Sequence, residues 1–305
     1  MEPQRDEGVE IFSMARKREI VAFQGERGAF SEMAARQLLG DQIDFFPCER
    51  FEQVFQALQQ GNASASVVPI ENTLHGSIHE NYDHLLSFDL KIVAETHVRI
   101  VHNLIAPPGT RMRDIQRVYS HPVALNQCLN FFASHPELQR VTHYDTAGSV
   151  KMVMAERPAG AAAIASAAAA ATYGAEILRR SIEDDRQNFT RFFLLRRPDS
   201  KQTPVTKHPK ITLILTTPNK PGSLFRALSA FSLRDISITK IESRPMRGRP
   251  WEYLFYVDIL GHPDEPRIRR AFEHVHEFSE ISRMFGCYEA FTESQIKSKA
   301  KKGQE

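Results

Sequence analysis

The chain has 305 residues, 42% of them hydrophobic and 25% charged, with a formal net charge of +2. That length exceeds one average domain, so two or three compact units are expected. The mixed charge leaves no footprint for nucleic acid or an acidic membrane surface, and no apolar run reaches the roughly 18 residues of a membrane span. Cys48, Cys128 and Cys287 are few and far apart, which argues against a disulfide framework or a zinc site and fits a reducing compartment. Residues 1–18 read as a charged tail without the apolar segment of a signal peptide, so a cytoplasmic location is expected.

From Ile20 the pattern alternates short apolar runs with longer amphipathic ones. Strands are expected at 20–23, 43–46 and 65–70, with helices at 29–39 and 51–58 between them. A helix at 78–86 follows. Strands that alternate with helices imply crossover units and mostly parallel, buried sheets. Around 91–106 the rhythm changes, and two apolar runs, 91–94 and 98–105, follow each other without a helix. A second alternating set then takes in Val118-Tyr119, residues 141–144 and 160–165, and ends near Ile177-Leu178. The economical reading is one domain over 19–196 built of two α/β lobes, the second spanning about 98–182. The strand after 188 is expected to return to the first lobe. Residues 197–210, with Pro198, Pro204 and Pro209, read as a linker. Residues 211–290 show a βαββαβ order, the ferredoxin-like split βαβ pattern. Residues 291–305, with Lys297, Lys299, Lys301 and Lys302, read as a basic tail.

The most informative segment is Thr190-Arg191-Phe192, set in an otherwise apolar, β-prone run. On a strand, neighbours point to opposite faces, so at most one of Thr190 and Arg191 can face the core. An arginine is rarely buried without a partner, so an anion, from protein or ligand, should meet Arg191. The plainer alternative is a strand end with a surface arginine.

Several strand-to-helix junctions share one design. Asn72, Thr73 and Ser77, then Ser120, Thr146 and Ser166, place amide or hydroxyl groups at helix starts beyond strand ends. Each alone reads as simple N-capping. Together, converging between two lobes, they would form an anion-binding crevice. His75 and His79 have i, i+4 spacing but no Glu between them, so no metal site is expected. Gly25-Glu26-Arg27-Gly28 lacks the spacing of a dinucleotide or phosphate loop. In the C-terminal unit, Pro218 to Phe225 joins the first strand to its helix, and Glu242-Ser243-Arg244-Pro245 ends the second strand.

These residues together resemble the prephenate dehydratase family with a C-terminal ACT regulatory domain. The resemblance rests on Val68-Pro69-Ile70-Glu71-Asn72-Thr73 with Gly76-Ser77, Ser120-His121-Pro122, Asp145-Thr146-Ala147, Ala163-Ile164-Ala165-Ser166, Thr190-Arg191-Phe192 and Glu242-Ser243-Arg244-Pro245. Three positions depart from the pattern. Thr73 stands where Ser is commoner, Val123 where Gln is usual, and Gly222-Ser223-Leu224-Phe225 is a variant of the Gly-Ala-Leu motif that bears on effector affinity. The short N-terminus resembles the monofunctional form rather than relatives fused to a chorismate mutase.

The resemblance implies a two-lobed, periplasmic-binding-protein-like catalytic domain that converts prephenate to phenylpyruvate without metal, cofactor or covalent intermediate. Thr190 would hydrogen-bond the departing hydroxyl and Arg191 would anchor a carboxylate. Asn72, Thr73, Ser77, Ser120, Thr146, Ser166 and Phe192 would complete the substrate site. L-phenylalanine would bind at a seam between ACT units, touching Pro221, Gly222, Ser223, Leu224, Phe225, Glu242, Ser243 and Arg244, in a homodimer or homotetramer. Three alternatives stand beside this reading: an arogenate dehydratase, a two-lobed binding module and a non-catalytic amino-acid sensor.

Overall fold

The computed structural model describes residues 18–200, 204–205, 207–246, 248–249 and 251–292. The expectations for nearly all of the basic tail and of the N-terminal tail lie outside these residues. Among them, no helix is long and apolar enough to cross a membrane.

The first lobe runs β1 (Glu19–Gln24), α1 (Phe30–Leu39), β2 (Ile43–Cys48), α2 (Phe51–Gln59), β3 (Ala65–Asn72), the short β4 (Gly76–Ser77), α3 (His79–Ser87) and β5 (Lys91–Arg99). The second lobe runs β6 (Asn103–Ala106), β7 (Arg117–Ser120), α4 (Pro122–Asn126), α5 (Leu129–Ala133), β8 (Gln139–Thr142), α6 (Thr146–Glu156), β9 (Ala161–Ala165), α7 (Ala167–Tyr173) and β10 (Glu176–Arg179). Then β11 (Phe189–Arg196) returns to the first lobe and inserts between β3 and β5. The first sheet has the order β2-β1-β3-β11-β5, and the second β10-β6-β9-β7-β8.

These sheets are mixed, which corrects the expectation of mostly parallel ones. The returning β11 is antiparallel to both neighbours, and β6 is antiparallel to β9 and β10. Strands that cross between lobes reverse direction, so each lobe gains antiparallel members that a pure crossover pattern lacks. The first of the two apolar runs expected around 91–106, 91–94, extends further, to Arg99. Glu95 sits inside a continuous β5 because its carboxylate is buried and takes bonds from Arg191 and Lys210. The chain leaves the sheet only at Ile100, where the outgoing and returning segments are laced together. Ile100 N donates to Asn188 O at 2.8 Å and Ile182 N to His102 O at 2.9 Å.

Pro69 shapes the centre of the first sheet. Lacking an N–H, it cannot donate to the ladder. The register of β11 on β3 shifts at that point, from Arg191 opposite Glu71 to Phe192 opposite Pro69, so Ile70 is bulged out. Past the bulge, Thr190 lies directly opposite Asn72.

The C-terminal domain runs β12 (Pro209–Thr217), α8 (Ser223–Ser232), β13 (Ile238–Pro245), β14 (Tyr253–Leu260), α9 (Pro266–His276) and β15 (Ser282–Glu289), with sheet order β13-β14-β12-β15. Both faces of this sheet are covered. Ile211, Leu213, Leu215, Val257 and Ile259 pack under its own helices. Ile214, Leu254, Tyr256, Phe285 and Tyr288 instead share a core with Val54, Phe55, Leu85 and Phe193 of the first lobe. Each such side chain contributes roughly 1.5–3 kcal/mol by leaving water. At Gly286 a Cβ would stand 2.0 Å from Ile92 O, so only glycine lets β15 approach β5 this closely.

Candidate active site

A cavity of about 370 Å³ opens between the lobes, beyond the ends of β1, β3, β7 and β11. Of the residues expected there, Asn72, Thr146, Thr190 and Phe192 line it. Thr190 is 8% exposed, and its Oγ1 accepts a bond from Asn72 Nδ2 at 3.0 Å. The orientation of that amide is fixed, because Asn72 Oδ1 takes the backbone N–H groups of Leu74 and His75, each at 3.0 Å. Its Nδ2 must therefore face Thr190, Phe189 O and Asn188 Oδ1. With its oxygen occupied as an acceptor, the Thr190 hydroxyl is left to donate its own hydrogen into the cavity.

Arg191 is not in the cavity, and the expectation that it anchors a substrate carboxylate is corrected. Strand alternation sends it to the opposite face of the sheet. There Nε donates to Glu95 Oε2 at 2.7 Å, Nη1 to Asp258 Oδ2 at 2.6 Å and Nη2 to the Tyr288 hydroxyl at 3.0 Å. The guanidinium also lies over the Phe193 ring, 4.7 Å from its centroid. Burial works to lower the pKa of Arg191, but Asp258, Tyr288 and Glu95 outweigh it and hold the group firmly charged. Burial likewise works to raise Glu95, and Arg191 with Lys210 brings it below the usual carboxylate range.

Four other expected substrate contacts are engaged by the protein itself. Thr73 Oγ1 donates to Gln187 O at 2.9 Å and accepts from Phe189 N. Ser120 Oγ donates to Ile164 O, and Ser166 Oγ donates to Gly28 O while capping α7 through Ala169 N. Ser77 Oγ donates to Glu242 of the C-terminal domain at 2.6 Å. The first three hydroxyls tie strand ends and helix starts together, which shapes the cavity without lining it.

The cavity contains residues the sequence did not single out for this role: Gln24, Ser31, His75, His102, Gln127, Tyr144 and Asp145. Gln127 is central. It meets His102 Nε2 at 2.8 Å and His75 Nδ1 at 3.2 Å, so it bridges the lobes. Burial pushes the His102 imidazole down, only partly offset by its bond to Gln127, and burial also lowers His121 despite Asp145 nearby. Burial raises the Asp145 carboxyl, although it accepts the Gly148 N–H as the N-cap of α6. No Lys or Arg lines the cavity among the described residues. Its electropositive feature is the start of α1, whose N-cap Ala29 offers no side chain to the first amides. The Gly25 to Gly28 loop before that helix was the available signal. His75 and His79 do not converge, since His79 turns to Glu242 at 3.0 Å.

The expected effector residues separate into two groups. Pro221, Gly222 and Ser243 are exposed, Phe225 strongly so, at 75%, while Ser223 is half-buried. Glu242 and Arg244 lie on the other face of β13 and bind the catalytic domain through Ser77 and Asp83. Their expected place at an outer seam is corrected by the same alternation that moved Arg191.

A two-lobed α/β domain with a polar strand pair facing an interlobe cavity, backed by a βαββαβ unit, defines a two-lobed protein with a small-molecule cleft and an appended ferredoxin-like domain. The prephenate dehydratase family matches residues 21–200 and the ACT domain residues 211–276. The chain is 40% identical to arogenate dehydratase/prephenate dehydratase 1, chloroplastic, of Arabidopsis thaliana, over 88% of this chain and 71% of that protein. Its fold matches a prephenate dehydratase in complex with L-Phe from Arthrobacter aurescens with a TM-score of 0.81 at 31% identity, over 89% and 90% of the two chains. It also matches GqqA, described as a novel type of quorum quenching acylase, with a TM-score of 0.82 at 34% identity, over 89% and 98%. The chain belongs to the prephenate dehydratase family, and it is a carbon–oxygen lyase of the prephenate/arogenate dehydratase type.

Proposed function

We propose that the substrate is prephenate and the product phenylpyruvate, within phenylalanine biosynthesis. One observation carries this choice over arogenate. Asp145 is the only carboxylate lining the cavity among the described residues, and it is already committed to the Gly148 N–H. Burial raises the Asp145 carboxyl and so disfavours the charged form that the ammonium of arogenate would need, whereas the keto oxygen of prephenate suits the donors of Gln127 and the helix starts.

In the reaction the ring C–O bond breaks as the ring carboxylate leaves as carbon dioxide. The electron pair of the lost C–C bond enters the ring, and the oxygen departs as hydroxide held by a hydrogen bond and becomes water by taking a proton from solvent. Thr190 is too weak an acid to protonate freely, so it acts as a positioned donor to the leaving oxygen. The amides at the start of α1 and at Thr146 hold carboxylate by dipoles rather than by full charges. That moderate grip suits the chemistry, because a strong ground-state hold on the ring carboxylate would oppose its loss.

An acylase reading, prompted by the likeness to GqqA, calls for an activated nucleophile. Thr190 receives its bond from an amide donor, Asn72 Nδ2, which cannot take up a proton. Assaying prephenate and arogenate side by side, each with and without phenylalanine, tests the proposal. A higher kcat/KM on arogenate would overturn the substrate assignment.

Phenylalanine regulation and self-association are proposed at the outer side of the ACT unit. Leu224 and Phe225 of α8 and Ile241 of β13, an edge strand of its sheet, are exposed there. An apolar seam of this kind fits an aromatic side chain and a second copy, in a homodimer or homotetramer. The free thiols of Cys48, Cys128 and Cys287 support a reducing compartment such as the cytoplasm.

A further inference from the structure

The strand pair that forms the active site has a second, rearward pair of residues that the reaction itself does not use. In the register of β11 on β3, Thr190 faces Asn72, and the next residues, Arg191 and Glu71, face each other. Alternation turns the first pair toward the cavity and the second toward the C-terminal sheet. That sheet grips both members of the rear pair. Asp258 of β14 takes Arg191 Nη1 at 2.6 Å, and Lys240 of β13 reaches Glu71 Oε1 at 2.9 Å.

The grip on Arg191 is rigid. Arg191 is 7% exposed and Asp258 3%. The other Asp258 oxygen takes the Thr212 hydroxyl at 2.6 Å, so the acid is fixed from a neighbouring strand of its own sheet. A buried, fully bonded charge pair does not stretch; it breaks at high cost or moves as a unit. Movement of the C-terminal sheet therefore carries β11 and β3 with it, and Thr190 and Asn72 are each one peptide bond away. The Ile70 bulge beside them supplies a place where the strands can yield.

We propose that Arg191 and Asp258 are positioning residues for Thr190, so that a domain which never touches the substrate sets the placement of the catalytic hydroxyl. The rear pair converts displacement of the ACT sheet into displacement of the front pair, and Lys240 with Glu71 acts on Asn72 in the same sense. This rests on the reading of Thr190 as the donor to the leaving oxygen.

The test uses the full-length protein and four variants: Asp258→Asn, Lys240→Gln, the double change Arg191→Met with Asp258→Leu, and Thr190→Ala as reference. Steady-state kcat and KM, inhibition by phenylalanine and thermal melting are measured on each. Asp258→Asn is expected to lower kcat by about tenfold to 10²-fold, the scale of a small misplacement, with KM changed less than about threefold. Lys240→Gln should weaken inhibition by phenylalanine at least about fivefold, within the usual range of coupling between sites. The double change replaces the buried pair by apolar groups while Glu95 keeps Lys210, so it is expected to stay folded even if Asp258→Asn does not. A folded double variant with wild-type kcat would overturn the positioning role. A fully active Thr190→Ala would instead overturn the underlying reading, and the two failures are told apart by which variant keeps its activity.

Discussion

The Ser77 hydroxyl donates to the Glu242 carboxylate at 2.6 Å, joining the β4 turn of the catalytic domain to β13 of the ACT domain. Burial works to raise Glu242, yet its bonds to Ser77 and His79 keep it below the usual carboxylate range. One residue was expected at the substrate and the other at the effector, and each is instead the partner of the other. Ser77→Ala should therefore leave KM for prephenate within about twofold while changing the phenylalanine concentration needed for half inhibition. A tenfold rise in KM would return Ser77 to the substrate site.

Thr190→Ala should lower kcat by about 10²-fold or more, the scale of a lost positioned donor, and Thr190→Ser should recover most of it. Asn72→Ala should fall in the same range, since it releases the Thr190 oxygen that its amide holds. Phenylpyruvate formation followed by absorbance measures all three. Activity of Thr190→Ala within a few-fold of wild type would remove the assignment.

Arg191 was expected to anchor a substrate carboxylate. Its buried position predicts a stability effect in its place. Truncating Glu95 to Ala leaves Lys210 without its anion and Arg191 with one close anion, Asp258, and should cost about 3–5 kcal/mol, read from urea unfolding. A loss below about 1 kcal/mol would mean that solvent reaches the cluster.

Stability should also fall with acid in two windows. His102 has its pKa lowered on folding from 6.5, so the unfolded chain binds the proton first as pH drops below about 6.5, and folding loses stability there. Glu95 is lowered from 4.5, so its contribution is present above about 4.5 and is lost as pH falls further. Melting temperatures from pH 7.5 to 4 should show both slopes, and His102→Gln should reduce the upper one, which His121 shares, without touching the lower. An unchanged upper slope in that variant would assign it elsewhere.

Gly28 has φ +83°, and a Cβ there would stand 2.5 Å from Ala169 Cα across the lobe boundary. Gly28→Ala should hold the lobes apart and break the Ser166–Gly28 bond, lowering kcat/KM by about 10²-fold. X-ray scattering should show a larger radius of gyration. Full activity with unchanged scattering would mean the boundary is not part of the closed site.

Much of this architecture was legible in local patterns. The runs at 253–260 and 266–276 coincide with β14 and α9, because a short continuous apolar run and a Pro-initiated amphipathic turn are strong local signals. Thr190 and Asn72 were legible for the same reason, as polar groups at the ends of buried strands. Arg191 shows where local reading stops. Alternation already separated it from Thr190, but its anion, Asp258, lies 67 residues away on another domain. No local rule distinguishes such a partner from a substrate carboxylate. Ser120, Ser166 and Thr73 were misplaced because a hydroxyl at a helix start serves backbone groups as readily as ligands. Gln127 sits in a short helix region with no pattern of its own, and only the interlobe geometry gives it a role.

The place of β11 in its sheet has a consequence for how the protein is made. Synthesis delivers β3 and β5 long before β11, yet β11 belongs between them. Until residue 196 has left the ribosome, the nascent first lobe carries two open strand edges with apolar faces, a state prone to pairing with other chains. The Thr190 hydroxyl thus arrives on the very segment that closes that gap, so the cavity is completed only when those open edges have been covered.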